Sequence, residues 1–576
     1  MGGTLDNAIL NGGILNAETG EIKGEFKISD AQVKLGAGIV SEQANINLGA
    51  NSNLTLNKST TDNSYKLNNV ELSGGAISFY NSPAVSGNGW NTLTLNDLSG
   101  RGNFYMHTDV AAGRSDLLNV TGTASGSFNL FVEDTGGSPT SADNLLLVKI
   151  FNGDATFALG NTGGVVDLGT WQYTLNETSK GSWELTPDLK PNPSPNPDPS
   201  PNPDPSPNPD PSPNPDPGPN PDPGPNPDPG PNPDPGPNPD PGPNPDPGPG
   251  PKPELPPEQK PIVPPQPEII KKRITPSTAA VLNMAAVEPL VFNAELESVR
   301  ERLDNDTVFS RDGAVWGSYL NARNNASTSA GAGFEQTLNG MTLGFDRTFS
   351  QENSSLTTGG FFSYSHSNVG FDRGGKGDVD SYSLGAYTGW RKNNGLYVDG
   401  IVKVNRFEND VKGRMTSGGA ANANYSAYGV GAHLESGMRL SSGNLAVTPY
   451  AAFTSFTTNS YEYTLSNGMR ADVDNTHSLR AEAGLKTDYS VTLDNGVELR
   501  PWLKASVRQE YADNNTVKVN NDGHFVNDLS GTRGVYQAGI RAIFTENLSG
   551  QLSTGYGHGA DVESPWSASA GISWTF

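Results

Sequence analysis

From Gly313 to the C-terminus, apolar and polar residues alternate with a period of two, in runs separated by Asn, Gly and Asp turns. Successive side chains on a strand point to opposite faces, so this alternation predicts β-strands. Twelve runs are counted, starting near Ala314, Met341, Leu356, Asp380, Leu396, Asn424, Leu445, Ser478, Val497, Arg533, Gln551 and Trp566. An even number of antiparallel strands lets the first close against the last and leaves no edge. On the eighth run Leu479, Ala481, Ala483 and Leu485 share one face, while Arg480, Glu482, Lys486 and Asp488 share the other. On the ninth, Val497, Leu499, Leu503, Ala505 and Val507 oppose Glu498, Arg500, Lys504, Arg508 and Glu510. On the fifth, Leu396, Val398, Val402 and Val404 oppose Asp399, Lys403 and Asn405.

Which face points inward decides the environment. A soluble barrel of this strand number would have to fill its interior with Gly, Ala and short apolar residues, and a void would remain. Turned inside out, the pattern fits lipid outside and a polar lumen holding Arg480, Glu482, Lys486, Glu498, Arg500, Lys504 and Arg508. Trp390, Tyr397, Tyr461, Tyr463, Tyr511, Trp566 and Trp574 lie near strand ends and are expected to form interfacial girdles. The final residues, WSASAGISWTF, continue the alternation to the last atom. Trp566, Ala568, Ala570, Ile572, Trp574 and Phe576 are expected to face lipid, and Ser567, Ser569, Ser573 and Thr575 the lumen.

The pattern changes upstream. Residues 277–303, STAAVLNMAAVEPLVFNAELESVRERL, form the one strongly helical stretch. Ser277 is expected to cap it and Pro289 to break or kink it, with Leu296, Val299 and Leu303 on one side of the second half. Immediately upstream of the first strand, such a helix can thread and plug a wide pore. Residues 1 to about 90 carry short apolar pulses at loose intervals, including INLG (46–49), NLTLN (53–57) and VELSGGAISF (70–79). Each is too short to bury a face alone, whereas stacked rungs of a right-handed parallel β-helix share a core. From residue 91 the pulses strengthen, as a capping β-sandwich over the exposed end of the stack would require. Leu95, Phe104, Leu117, Val120, Leu130, Val132 and Leu146 are the expected core of that cap.

Composition divides the same chain. Of its 46 prolines, 39 lie between Pro187 and Pro267, in a Pro-Asn-Pro-Asp-Pro-Ser/Gly repeat with Asp every six residues from Asp198 to Asp246. Alternate prolines forbid helix and sheet bonding and favour an extended polyproline II spacer, which at about 3.1 Å per residue reaches roughly 250 Å. The chain of 576 residues contains no cysteine and has a net charge of -24. Disulfides, thiolate metal sites and Cys nucleophiles are excluded, and duplex nucleic acid is a poor partner for so acidic a chain. No run of about 20 apolar residues predicts a transmembrane helix. The start, MGGTLDNAILNGG, shows neither a charged n-region nor an apolar h-region, so an export signal is expected further upstream, in a longer protein. The six histidines are scattered without metal-ligand spacing, and no GxSxG elbow or nucleotide-binding loop occurs. No catalytic residue, metal or cofactor is expected.

Taken together, these features resemble the C-terminal part of an autotransporter, the monomeric type V secretion proteins of Gram-negative outer membranes. LSGRGNFYMHTDV (98–110), DLLNVTG (116–122) and LLLV (145–148) look like the pertactin-type end of a passenger; GAVWGSYLNARN (313–324) and the terminal ISWTF look like the first and last strands of the family's β-domain. The resemblance implies an all-β chain, a β-helix passenger stem with a β cap joined to a 12-stranded antiparallel transmembrane barrel. Its expected parts are the stem (1–90), a capping or autochaperone region (91–186), the Pro-rich linker (187–274), a pore-plugging helix (275–305) and the barrel (306–576).

It further implies that Phe576, Trp574 and Ile572 form the signal read by the barrel-assembly machinery, with periplasmic chaperones as transit partners. Some relatives cleave themselves within the pore helix, and Asn293-Ala294 is the equivalent position here. Lys271-Lys272-Arg273 could meet lipopolysaccharide phosphates, though a solvated charge run explains it equally. The expected function is transport and anchoring of the chain's own passenger on the cell surface, in contact with outer-membrane lipids, for adhesion to other cells or abiotic surfaces, aggregation or biofilm formation. The alternatives are the same anchor displaying an enzyme encoded upstream, and a porin-like channel.

Overall fold

The computed structural model describes residues 3–57, 59–80, 89–134, 143–188, 272–305 and 313–576. The Pro-Asn-Pro-Asp repeat lies outside the described residues.

The N-terminal part is a parallel stack. Val33, Leu54, Ile77, Phe104, Leu130 and Leu159 occupy matching positions on successive rungs, and a second column runs Leu67, Leu95, Val120, Ile150. The rungs turn on glycine. Gly100, Gly126 and Gly153 adopt φ of +93°, +110° and +117°, and a Cβ there would lie 2.2, 1.9 and 1.9 Å from a carbonyl oxygen of the rung below. An aromatic ladder, Phe104–Phe128–Phe157–Trp183, runs up the interior with centroids 5.7, 5.4 and 5.6 Å apart.

Two expectations for this region are corrected. Parallel rungs continue to Leu159, so the antiparallel cap is confined to Val166–Leu168, Trp171–Ser179 and Ser182–Pro187, with Leu145–Gly153 as the strand it pairs onto. The strengthening of the apolar pulses after residue 91 reflects better-filled rungs, not a separate sandwich. Of the expected cap core, Leu95, Phe104, Val120, Leu130 and Val132 are buried, but Leu117 and Leu146 are only half-buried. Leu118 pairs with buried Leu93 and is itself fully buried, and the neighbours of Leu146, Leu145 and Leu147, are buried too. A one-residue phase error on a strand moves a side chain to the opposite face.

The C-terminal part is a closed antiparallel barrel. Its strands are β1 (Ala314–Ser327), β2 (Gly333–Ser350), β3 (Ser354–Phe371), β4 (Gly375–Lys392), β5 (Leu396–Arg414), β6 (Ala420–Met438), β7 (Leu445–Thr458), β8 (His477–Tyr489), β9 (Glu498–Glu510), β10 (Gly531–Ile543), β11 (Leu548–Gly559) and β12 (Val562–Thr575). With the short extensions Leu440–Ser442 and Val491–Thr492 these twelve make up a 14-stranded sheet. β1 pairs with both β2 and β12, from Ala314↔Thr575 to Ala326↔Val562, which closes the circle. A separate four-stranded sheet, Tyr461–Thr464, Arg470–Val473, Thr516–Val519 and Gly523–Val526, rises from the β7–β8 and β9–β10 connections.

Inside the barrel runs α1 (Pro276–Asn305). Thr275, not Ser277, caps it: the Thr278 N–H donates to Thr275 Oγ1 at 3.2 Å, and Pro276 takes the first helical position, where its missing N–H costs nothing. Pro289 does not end the helix. The surrounding wall holds the chain helical, and Asn293 Nδ2 donates to the Pro289 carbonyl at 2.8 Å.

Candidate functional site

The site is the filled lumen. On β8 and β9, Leu479, Leu485, Leu503 and Val507 are exposed on the outer wall, whereas Arg480, Glu482, Lys486, Lys504 and Arg508 are buried within. Glu498 and Arg500 are half-buried near the end where the chain terminates, and pair with each other at 2.7 Å. The outer wall is a belt of Leu, Val, Phe and Tyr; two of its members, Phe345 and Leu552, are 66% and 59% exposed. An apolar band outside a charged interior is the signature of a barrel in lipid.

Three of the expected girdle aromatics instead point inward. Tyr397 donates to Glu435 Oε1 at 2.8 Å, while Tyr461 and Tyr463 stack on Tyr425 with centroids 4.6 and 4.4 Å apart. Each sits at an inward position of its strand. Tyr511, Trp566 and Trp574 are exposed as a girdle requires, and Trp390 is half-buried.

Glycines make room for the inward aromatics. Trp316 lies over Gly344, where a Cβ would meet the indole at 2.4 Å, and Tyr387 lies over Gly359, where a Cβ would meet the ring at 2.5 Å. Trp316 Nε1 donates to the Tyr387 hydroxyl at 2.7 Å, which donates to Asp346 Oδ2 at 2.7 Å. Asp346 in turn accepts both Nε and Nη2 of Arg302, at 2.8 and 2.9 Å. One helix charge is thereby held by three strands.

The other charges of α1 are matched in the same way. Glu295 accepts from Lys403 (2.7 Å), Ser365 (2.6 Å) and Asn405 (2.8 Å). Arg300 reaches Glu435 at 2.6 Å and Glu482 at 3.0 Å. Glu301 accepts from Ser553, Ser569 and Gln551 at 2.7, 2.6 and 3.1 Å. Glu297 pairs with Arg508 (3.4 Å) and accepts from Gln537 (3.1 Å), and Asp304 pairs with Lys486 at 3.1 Å. These partners lie on β2, β3, β5, β6, β8, β9, β10, β11 and β12. The lumen is cut to this helix.

The sequence reading found the barrel's half of this network but not Arg300, Arg302, Glu295, Glu435 or Asp346. The available signal was the charge run AELESVRERLD: so many charges on every side of a helix bound for a pore require partners all round the wall.

Asn293 and Ala294 sit mid-helix, and Asn293 lines a cavity of about 60 Å³ together with Arg480, Arg508 and Glu510. The Asn293 amide nitrogen is bonded one turn back, to the Pro289 carbonyl. Of the basic run, Arg273 pairs with Asp188 at 3.3 Å and Lys272 lies 5.6 Å from the Trp171 ring, so the former is taken by a carboxylate of the stem; Lys271 lies outside the described residues. Phe576 is 68% exposed on the outer wall, and its N–H donates to the Gly313 carbonyl at 3.0 Å. Trp574 and Ile572 are exposed on the same face. Among the described residues, no group of three or more His, Cys, Asp or Glu is placed to hold a metal ion.

Comparison with known proteins agrees with this architecture. Residues 315–555 match the Autotransporter beta-domain family and residues 67–187 match the Pertactin family. The chain is 50% identical over 565 residues to "Probable autotransporter YpjA" of Escherichia coli (strain K12), covering 96% of this chain and 34% of that protein. It is 40% identical over 574 residues to the autotransporter adhesin/invasin TibA of Escherichia coli O78:H11, covering 99% of this chain and 52% of that one. It is 31% identical over 508 residues to the pertactin autotransporter of Bordetella bronchiseptica, covering 88% of this chain and 50% of that one. The chain thus spans a third to a half of the length of these relatives. A barrel with a lipid-facing exterior, a helix fitted to its lumen and a pertactin-like stem ahead of it make this chain an autotransporter, with its translocator barrel in the Gram-negative outer membrane.

Proposed function

We propose that the barrel exports the stem that precedes it and then holds that stem on the cell surface as an adhesin. The observation that carries this reading is the lumen. It accommodates one helix, with wall groups bonded to α1 from ten of the barrel's strands. A stacked β-helix is far wider than one helix, so the stem crosses unfolded and folds outside. Folding of rungs onto a finished end is favourable step by step, because each new rung buries its apolar face on the last. That bias supplies direction without nucleotide hydrolysis.

On this reading the chain is organised as a β-helical stem whose parallel rungs run to residue 159, its short antiparallel cap (166–187), the Pro-rich linker, the pore helix (275–305) and the barrel (306–576). Phe576, Trp574 and Ile572 present an exposed apolar edge for the barrel-assembly machinery to grip, and periplasmic chaperones keep the chain open until then. The adhesive role draws on the likeness to the TibA adhesin/invasin and to pertactin, and the displayed region acts by contact and not by catalysis. The test is protease shaving of intact cells combined with gels run with and without heating. Loss of the residues before about 275, with a protected, heat-modifiable barrel, is expected. A protein found wholly soluble in the periplasm refutes the proposal, and unchanged cell–cell or surface attachment after removal of the stem refutes its adhesive half.

A further inference from the structure

The stem and the barrel meet through polar groups too well matched to be incidental. α1 enters the lumen at the end bearing the longer connections and the four-stranded sheet, the side expected to face outward. There a turn of the cap, Asp167 to Gln172, touches three separate barrel connections. After β5, the N–H and hydroxyl of Thr416 donate to the Asp167 carboxylate at 2.6 and 2.8 Å, and Gln172 Nε2 donates to Thr416 Oγ1 at 2.8 Å. After β3, Arg373 donates to Gln172 Oε1 at 2.8 Å and to the Ile274 carbonyl. Burial pulls this guanidinium down to about 10, which leaves it charged at neutral pH. Between β9 and β10, Thr170 donates to Asp522 Oδ1 at 2.6 Å and to the Val519 carbonyl at 3.3 Å, while Trp171 packs on Phe525 at 5.5 Å. Gly523 is required here, since a Cβ would come within 2.7 Å of the Thr170 methyl.

The entry to α1 completes the seat. Arg273 to Thr275 runs alongside Thr170 to Gln172 as a short antiparallel bridge, with Gln172 N–H to Arg273 O at 2.9 Å and Thr275 N–H to Thr170 O at 3.0 Å. Asp188 lies on the same ladder: its N–H donates to Gln172 O at 2.7 Å, its carbonyl accepts from Arg273 N–H at 2.8 Å, and its carboxylate pairs with Arg273. Thr170, Gln172, Asp188, Ile274 and Thr275 are all buried. The chain therefore leaves the stem at Asp188 and resumes at Arg273 one hydrogen bond away, although 84 residues (189–272) separate them.

We propose that the base of the stem is seated directly on the outer mouth of the barrel, held by these three connections, and that this clamp, not the length of the Pro-rich segment, sets the stem's distance from the membrane. The covalent link through that segment is then not what retains the stem. The inference rests on the translocator reading, and heat-modifiability and surface labelling in the same cells separate failure of that reading from failure of this one.

A specific protease site is placed within residues 189–271 and cut on intact cells displaying the protein. The stem is expected to stay in the cell pellet after cutting, and to leave it at least about tenfold faster in the variant Asp167→Ala/Thr170→Val/Gln172→Ala. Immediate release of the unaltered stem overturns the proposal. A second measurement covers misfolding of the triple variant: Thr170→Cys/Asp522→Cys, in a chain with no other cysteine, is expected to form a disulfide under mild surface oxidation and to keep the two cut fragments together on non-reducing gels. Absence of this cross-link in protein whose barrel is heat-modifiable and whose stem is surface-labelled also overturns it.

Discussion

Replacing Arg300 with methionine tests whether ion pairing seats the helix in the pore. The side chain is of similar length and fully enclosed, so little packing is lost. Arg300 donates to Glu435 Oε2 through Nε (3.2 Å) and Nη2 (2.6 Å), and through Nη1 to Glu482 Oε2 (3.0 Å) and Glu297 Oε2 (3.2 Å). Removing one member of a buried pair strands its partner and costs about 3–5 kcal/mol. Here the stranded carboxylates keep other partners: Glu435 the Tyr397 hydroxyl at 2.8 Å, Glu482 the Tyr450 hydroxyl at 2.7 Å and Arg508 at 3.1 Å. The lower end of the range, about 3 kcal/mol, is therefore expected, roughly a hundredfold shift toward an unseated helix. Purified protein in planar bilayers should show open-pore conductance far more often than the parent, with an unchanged heat-modifiable barrel. Adding Glu435→Gln to Arg300→Met should recover part of the loss, because contacting groups are not additive. Conductance and urea midpoint both indistinguishable from the parent would refute the reasoning and leave Arg300 no part in anchoring α1.

Other expectations follow from single positions. Deleting Phe576 should lower the yield of heat-modifiable barrel far more than Ser573→Ala does, because Phe576 bonds Gly313 at the closing seam while Ser573 is one buried lumen hydroxyl. In the stem, Leu118→Ala should cost about 2–5 kcal/mol and Leu117→Ala under about 1 kcal/mol, read as urea-dependent protease sensitivity on intact cells. Gly484→Ala must displace the Tyr450 ring, which lies 2.6 Å from the Cβ position, and should lower the temperature at which the barrel loses its compact gel mobility.

Much of the fold was legible because it follows from periods. The alternation on β8, β9 and β12 needs no tertiary information: a strand has two faces, and Leu479 and Arg480 cannot share one. Where phase was ambiguous the reading slipped. LL at 117–118 and LLLV at 145–148 offer an apolar residue to either face, and only the register with Leu93 and Leu185 selects Leu118 and Leu145. Tyr397, Tyr461 and Tyr463 were assigned outward by their nearness to strand ends, but parity along the strand places them inside.

The helix shows the other boundary. Its existence was written in the residues, but not its start, its continuity through Pro289 or the partners of Arg300, because a cap and a helix-breaking residue are both local preferences of about 1–3 kcal/mol that an enclosing wall can override. The clamp between Asp188 and Arg273 lay furthest from the sequence. Composition fixes how far a proline repeat can reach, whereas contacts with residues more than a hundred positions away fix where its two ends lie. The sequence by itself determined which residues meet lipid, which line the lumen and that the stem stacks in rungs, since each is a matter of period. Only the tertiary structure decided which charges pair across the pore and that the stem sits on its mouth, since each depends on groups that approach only after the barrel closes.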